Sequence, residues 1–357
     1  MTRVLLSSIL VLSLVACTST APSPASSSLP LWAGLTPGQY SVGFIGSPLL
    51  TAPHPLLVSV WYPAGADGTP LRYGDYLKLS LWESGEKPTQ ENKTKALEAA
   101  KAFLTKNGVR AASADVLIKA QMYARLNATV APGSFPLVLV IQGNGQGASG
   151  QAVLCEFLAS HGYVVATIPS ITRMTGPMKA EKDIAPKAEE EVGDIERAVS
   201  SLAEWPNRDK SLAPSFVAHS FGSRSALFYA MHHPVTAIVS LEGGIGLATG
   251  QKSMVDSKML DLTASIPPIL HFYEVNDDQA VPDFRLLRSL HTPDLQLVRM
   301  NSMHHVHFSS DGFAAVMLPS MATVTKGGPD LKKDVVSVAR QTLAYLDKWT
   351  AAARSAS

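Results

Sequence analysis

The chain has 357 residues, with 30 Lys and Arg against 29 Asp and Glu, so its formal charge is +1. Binding to a nucleic-acid backbone needs a clustered basic excess, and the sequence has none. Charged residues make up only 17% and apolar residues 46%, which excludes a disordered chain and supports one large globular domain carrying an insertion.

At the N-terminus, Arg3 precedes an apolar run over residues 4–16 that is broken only by serines and is too short to remain as a membrane span. Residues 1–16 read as an export signal. The run closes with Leu14-Val15-Ala16-Cys17, which resembles the lipobox of bacterial lipoproteins; the resemblance implies that Cys17 becomes the lipidated first residue after cleavage. A plain secretory signal with an incidental cysteine is the alternative. Thr18 stands where an aspartate would imply retention at the inner membrane, so the resemblance implies an exported protein lipid-anchored to the cell envelope at the outer membrane. Residues 17–33 read as the tether, rich in Ser, Thr, Pro and Ala up to residue 28. Once Cys17 is set aside, Cys155 is alone, so no internal disulfide and no cysteine-based metal site is expected. Its apolar helical surroundings read as burial.

Along the mature chain, short apolar runs alternate with longer amphipathic ones, the pattern of an α/β fold with a mostly parallel sheet flanked by helices. Strands are predicted over 56–62, stopped by Pro63, then over 135–142, 163–168, 216–218, 235–241, 269–275 and 295–300. Helices are predicted over 150–160, 187–204, 221–232 and from about 331 to the end. Residues 72–132 break the rhythm. Thr89 caps a run reaching Asn107-Gly108, and a second helical run covers 113–125, so this stretch reads as a helical insertion. It either folds over the C-terminal edge of the sheet and shapes an access route or is a solvated excursion.

Chemistry gathers where strands end. Residues 216–223 read Phe-Val-Ala-His-Ser-Phe-Gly-Ser: an apolar strand, a serine flanked by small residues, then a helix. This is the pattern of a nucleophile elbow with Ser220 at its tip, where Ala218 and Gly222 keep the tight turn free of clashes. Ala218 and Ser223 replace glycines that the strict motif carries. A serine hydroxyl needs a base, and chain order places a histidine after the last strand. His304, His305 and His307 all stand there. Two adjacent imidazoles and one at i+2 diverge from a common point, so no metal is expected.

The strand Ser59-Val60-Trp61-Tyr62-Pro63-Ala64, the turn Gln142-Gly143-Asn144-Gly145, the elbow His219-Ser220-Phe221-Gly222 and the late histidine loop together resemble the platelet-activating-factor acetylhydrolase and dienelactone-hydrolase-like branch of the α/β-hydrolases. The resemblance covers most of residues 38–310. It implies an α/β-hydrolase fold and places the base three residues before a phenylalanine, at His305, with His304 and then His307 behind it. For the acid it implies either Asp278, in the D-x-x-V-P register that is common in the superfamily, or Glu242, one strand earlier. The acetylhydrolase arrangement favours Glu242, although glutamate replaces the usual aspartate there. Two oxyanion donors are expected: the Phe221 amide after the nucleophile and, by the resemblance, the Asn144 amide. Gln142 stands where relatives often carry histidine. The mechanism implied is acyl transfer through a Ser220 acyl-enzyme on a small-molecule ester, with no cofactor, no nucleic-acid partner and membrane contact through the lipid anchor alone. The alternative from another class is a catalytically inactive binding lipoprotein that keeps the fold.

Overall fold

The computed structural model describes residues 29–49, 53–87, 89–255, 257–277 and 280–356. The export signal, Cys17 and the tether up to residue 28 lie outside the described residues. Ten strands form one sheet: β1 (Ser41–Leu49), β2 (Leu56–Ala64), β3 (Thr69–Arg72), β4 (Gln121–Leu126), β5 (Leu137–Ile141), β6 (Val164–Ile168), β7 (Ser215–His219), β8 (Ile238–Leu241), β9 (Ile269–Tyr273) and β10 (Leu295–Arg299). Their spatial order is β10-β9-β8-β7-β5-β6-β2-β1-β4-β3. From β5 to β10 every neighbouring pair is parallel, while β2 runs antiparallel to both β6 and β1.

The parallel strands are buried on both faces, which is why they read as unbroken apolar runs. In β5, Val138 and Val140 face one apolar layer, and Leu137, Leu139 and Ile141 face the other. The first layer packs the helices Ala152–Ser160 and Leu331–Ala356; the second packs Ile184–Ser201 and Gly222–His232. Cys155 is fully buried in the first. Among the described residues, no helix is long and apolar enough to cross a membrane.

Three expectations need correction. Residues 29–33, assigned to the tether, belong to the core: Leu31 and Trp32 are fully buried, and the Trp32 indole donates to Glu156 at 3.2 Å. A leucine and an indole gain too much from burial to stay in a solvated linker. Pro63 does not stop β2, which runs on to Ala64. It lies beyond the stretch Ser59–Trp61 that pairs with β6, so on that side its missing amide proton leaves no ladder bond unmade. The insertion is not wholly helical. Its second run splits into the helix Ala111–Lys119 and β4, which extends the sheet beside β1. Apolar positions on both faces of residues 113–125 make the two periods hard to tell apart.

Candidate active site

β7 ends in the core of the sheet, and the chain turns at Ser220 into the helix Gly222–His232. Ser220 has a φ of 49°, in the left-handed region that non-glycine residues avoid, so its turn carries backbone strain. That turn tolerates only small neighbours. A Cβ on Gly222 would lie 2.5 Å from the Gln142 carbonyl oxygen, and Ala218 is fully buried between β5 and β8.

Because β7 and β8 are parallel neighbours, their C-terminal ends deliver Ser220 and Glu242 to the same edge. Glu242 is also in the left-handed region, with φ 41°, and is fully buried. The third group comes from the loop after β10. His305 opens a single helical turn, His305–Phe308, and its ring bridges the other two: Nε2 to Ser220 Oγ at 2.8 Å and Nδ1 to Glu242 Oε2 at 2.7 Å. With Nδ1–H donating to the carboxylate, the serine hydroxyl donates to Nε2.

Its two neighbours point elsewhere. The His304 amide donates to His307 Nδ1, and His307 Nε2 contacts Thr325 Oγ1 at 2.8 Å. Burial pushes the His307 imidazole down to about 4, helped by His304. Asn276 anchors the histidine loop, donating from Nδ2 to the Asn301 and Met303 carbonyls at 3.0 and 2.8 Å. Asp278 lies outside the described residues.

Facing Ser220 is the loop after β5. Asn144 and Gly145 form the centre of a turn closed by the Gln146 amide donating to the Gly143 carbonyl at 3.0 Å, with Gly145 at φ +69°. The Gly143 amide donates to Gln146 Oε1 and the Gly145 amide to Thr172 Oγ1. The Asn144 and Phe221 amides have no acceptor among the described residues. Two donors left open beside a serine suit a developing oxyanion.

A supporting network was invisible in the sequence. Glu83, in the insertion helix Ser80–Glu83, accepts from the Ala148 amide at 2.6 Å and pairs with Arg173 Nε at 3.2 Å. Arg173 in turn donates to the Gly145 carbonyl at 2.9 Å. Gly147 lies so close that a Cβ there would fall 1.9 Å from a Glu83 carboxylate oxygen. The insertion therefore clamps the loop that carries Asn144. His219 pairs with Gln146 Oε1 at 2.7 Å and stacks on the His305 ring at 5.2 Å. Burial, and secondly His305, pushes His219 down to about 3, so it adds no charge beside the His305 ring.

The end of the insertion helix Gln90–Lys106 also reaches the histidine loop. Phe103, Leu104, Val109, His304, Val306 and Met321 help line a cavity of about 540 Å³. At its edge, Glu274, Asp277 and His304 bring ligand atoms within 4.8 Å of one another, a set that would suit a divalent cation. The Glu274 amide donates to Glu242 Oε1 at 3.3 Å, and burial, with Glu242 adding to it, pushes the Glu274 carboxyl up to about 7.

No family model matches the chain, and no curated protein matches it in sequence. Among solved structures it is similar to a ferulic acid esterase from Streptomyces cinnamoneus, with 16% identity and a TM-score of 0.62 over 89% of this chain and 92% of that one. A cold-adapted esterase from an Arctic intertidal metagenomic library matches with 11% identity and a TM-score of 0.49, over 87% and 94% of the two chains. A dienelactone hydrolase from Anabaena variabilis matches with 14% identity and a TM-score of 0.48, over 87% and 99%. Together with the strand order and the strand-turn-helix at Ser220, the first of these shows an α/β-hydrolase fold.

Proposed function

We propose that this chain is a serine carboxylic-ester hydrolase. The observation that carries the reading is the unbroken chain of contacts from Ser220 Oγ through His305 to buried Glu242, at 2.8 and 2.7 Å, set on a strained turn. In this reading, His305 Nε2 takes the serine proton as Oγ attacks the ester carbonyl. The Phe221 and Asn144 amides receive the negative charge that forms on the carbonyl oxygen. His305 then returns the proton to the departing alkoxide, and water, activated by the same imidazole, releases the acid. Glu242 holds Nδ1–H in place and stabilises the imidazolium. Esters suit this site because an alkoxide leaves more readily than an amine, and the similar structure from Streptomyces cinnamoneus is that of a ferulic acid esterase.

The test is hydrolysis of p-nitrophenyl esters from acetate to palmitate by the mature domain beside Ser220→Ala. Turnover lost with Ser220, by about 10³-fold or more, supports the reading. A folded wild type inert on every ester would overturn it and favour the binding lipoprotein. We further propose that the chain is exported and anchored through Cys17, on the strength of the lipobox-like Leu14-Val15-Ala16-Cys17. Palmitate incorporation in a bacterial host should then vanish in Cys17→Ser; incorporation that persists contradicts it.

A further inference from the structure

Arg224 occupies the first turn of the helix Gly222–His232, four residues after Ser220, and is only 6% exposed. Three buried acidic groups have partners. Asp194 pairs with Arg197 at 2.6 Å and His54 at 3.1 Å; Glu191 accepts from the Ser225 hydroxyl at 2.6 Å and the Ile171 amide at 3.0 Å; Glu156 accepts from Tyr76, Trp32 and two backbone amides. Arg224 is different. Among the described residues, no carboxylate pairs with its guanidinium and no oxygen accepts from it, and its Nε is fully buried without a partner. Burial alone lowers its pKa, to about 10, so the group stays protonated at neutral pH.

A cation withdrawn from water with its donors unmatched is costly, and such an exception calls for a partner the protein itself does not provide. The guanidinium's neighbours come from the turn that carries Ser220 and from the segment after β8. It lies at 6.0 Å over the ring of Phe221, the residue whose amide is the open donor next to the nucleophile. It also lies against two glycines: a Cβ on Gly244 would fall 2.1 Å from one terminal nitrogen, and one on Gly250 would fall 3.2 Å from the other. Gly244 is itself bound to the nucleophile's backbone, its amide donating to the Ser220 carbonyl at 2.8 Å. Gly244 therefore links the unmatched charge to the backbone of Ser220.

We propose that Arg224 is a specificity-determining residue that holds a carboxylate carried by the ester substrate, so that the enzyme acts on esters of dicarboxylic acids that keep one free acid group. This deepens the serine-hydrolase reading and rests on it. A planar guanidinium fork matches a carboxylate with two parallel bonds, and one cation balances one negative charge, whereas a phosphate dianion would remain half neutralised in this cradle.

The experiment compares monomethyl adipate with methyl hexanoate, and monomethyl terephthalate with methyl para-toluate, in wild type, Arg224→Met and Arg224→Lys. In wild type, kcat/KM for the acid half-ester should exceed that for its neutral isostere by at least about tenfold, because a site built for a polar group loses strongly when that group is missing. In Arg224→Met the ratio should fall to about one or below, chiefly through KM, with Arg224→Lys between. A wild-type ratio of about one, or one unchanged by Arg224→Met, overturns the inference. If Arg224→Met does not fold, inhibition of wild-type p-nitrophenyl acetate hydrolysis decides. Adipate should compete where hexanediol does not, and equal inhibition by the two contradicts the proposal. A wild type inactive on p-nitrophenyl acetate defeats the esterase reading instead. The anion site is then judged by melting temperature, which adipate should raise in wild type and less in Arg224→Lys; no rise in wild type overturns it.

Discussion

Ser220 and Glu242 both have left-handed backbones at the ends of adjacent parallel strands, and the structure around them over-determines that strain. The Ser220 amide donates to the Leu241 carbonyl at 3.2 Å, and the Glu242 amide to the Phe272 carbonyl at 2.9 Å. Each residue's position is thus fixed by the next strand, and the carboxylate meets His305 already buried. Removing Glu242 leaves the imidazole without its orienting acceptor, so Glu242→Ala should lower kcat/KM on p-nitrophenyl acetate by about 10²–10⁴-fold. Asp278→Asn should change it by less than about threefold; the reverse ranking would transfer the acid role to Asp278. The steric demands of the turn at Ser220 are local, so they were legible in five consecutive residues. The choice of His305 over its neighbours was not a local matter. It came from a resemblance in register, and in the structure that residue meets Ser220 because the single turn His305–Phe308 sends His307 back toward Thr325.

At the scale of elements, the central strands were readable because burial on both faces writes itself as continuous apolar sequence. The outer strands were not. β1 mixes glycine, serine and proline with its apolar residues and is only half-buried over its second half, while β4 carries residues that suit a helix equally well. Glu83 was hidden for another reason. It sits in a polar segment, and the amide it holds lies 65 residues further on, beyond the reach of any spacing rule. Its consequence is testable as a positioning effect on the Asn144 loop. Glu83→Ala should lower kcat about tenfold with little change in KM, and weaken a trifluoromethyl ketone analogue of the tetrahedral intermediate in parallel. Glu83→Gln, which still accepts from the Ala148 amide, should recover part of both. Analogue affinity that stays put while kcat falls would reduce Glu83 to a packing role.

Across the whole molecule, the buried titratable groups pull stability in opposite directions with pH. Burial raises Glu156 to about 6 and Glu191 to about 7, so in the folded state these carboxyls hold protons that the unfolded chain releases, and their contribution is lost as pH rises through that range. His271 behaves oppositely. It is fully buried, with its Nδ1 contacting Ser240 Oγ at 2.9 Å, and burial pushes it down to about 3. Its contribution is fully present above the ordinary histidine pKa of about 6.5 and is lost as pH falls below that, because the unfolded chain gains a proton there. Between pH 7 and 5 the loss amounts to about 2 kcal/mol. Urea unfolding should therefore show wild type losing about 2 kcal/mol more than His271→Gln over this interval. Equal losses would mean that His271 is protonated in the folded state.

One covalent reaction interrogates Ser220 as a nucleophile activated through His305, without knowledge of the natural substrate. Fluorophosphonate treatment of the folded mature domain, read by intact mass and peptide mapping, should give a single phosphonyl adduct on Ser220. The adduct should be absent in Ser220→Ala and form at least about 10²-fold more slowly in His305→Ala. No adduct on a folded wild type, or one on another residue, would contradict the account.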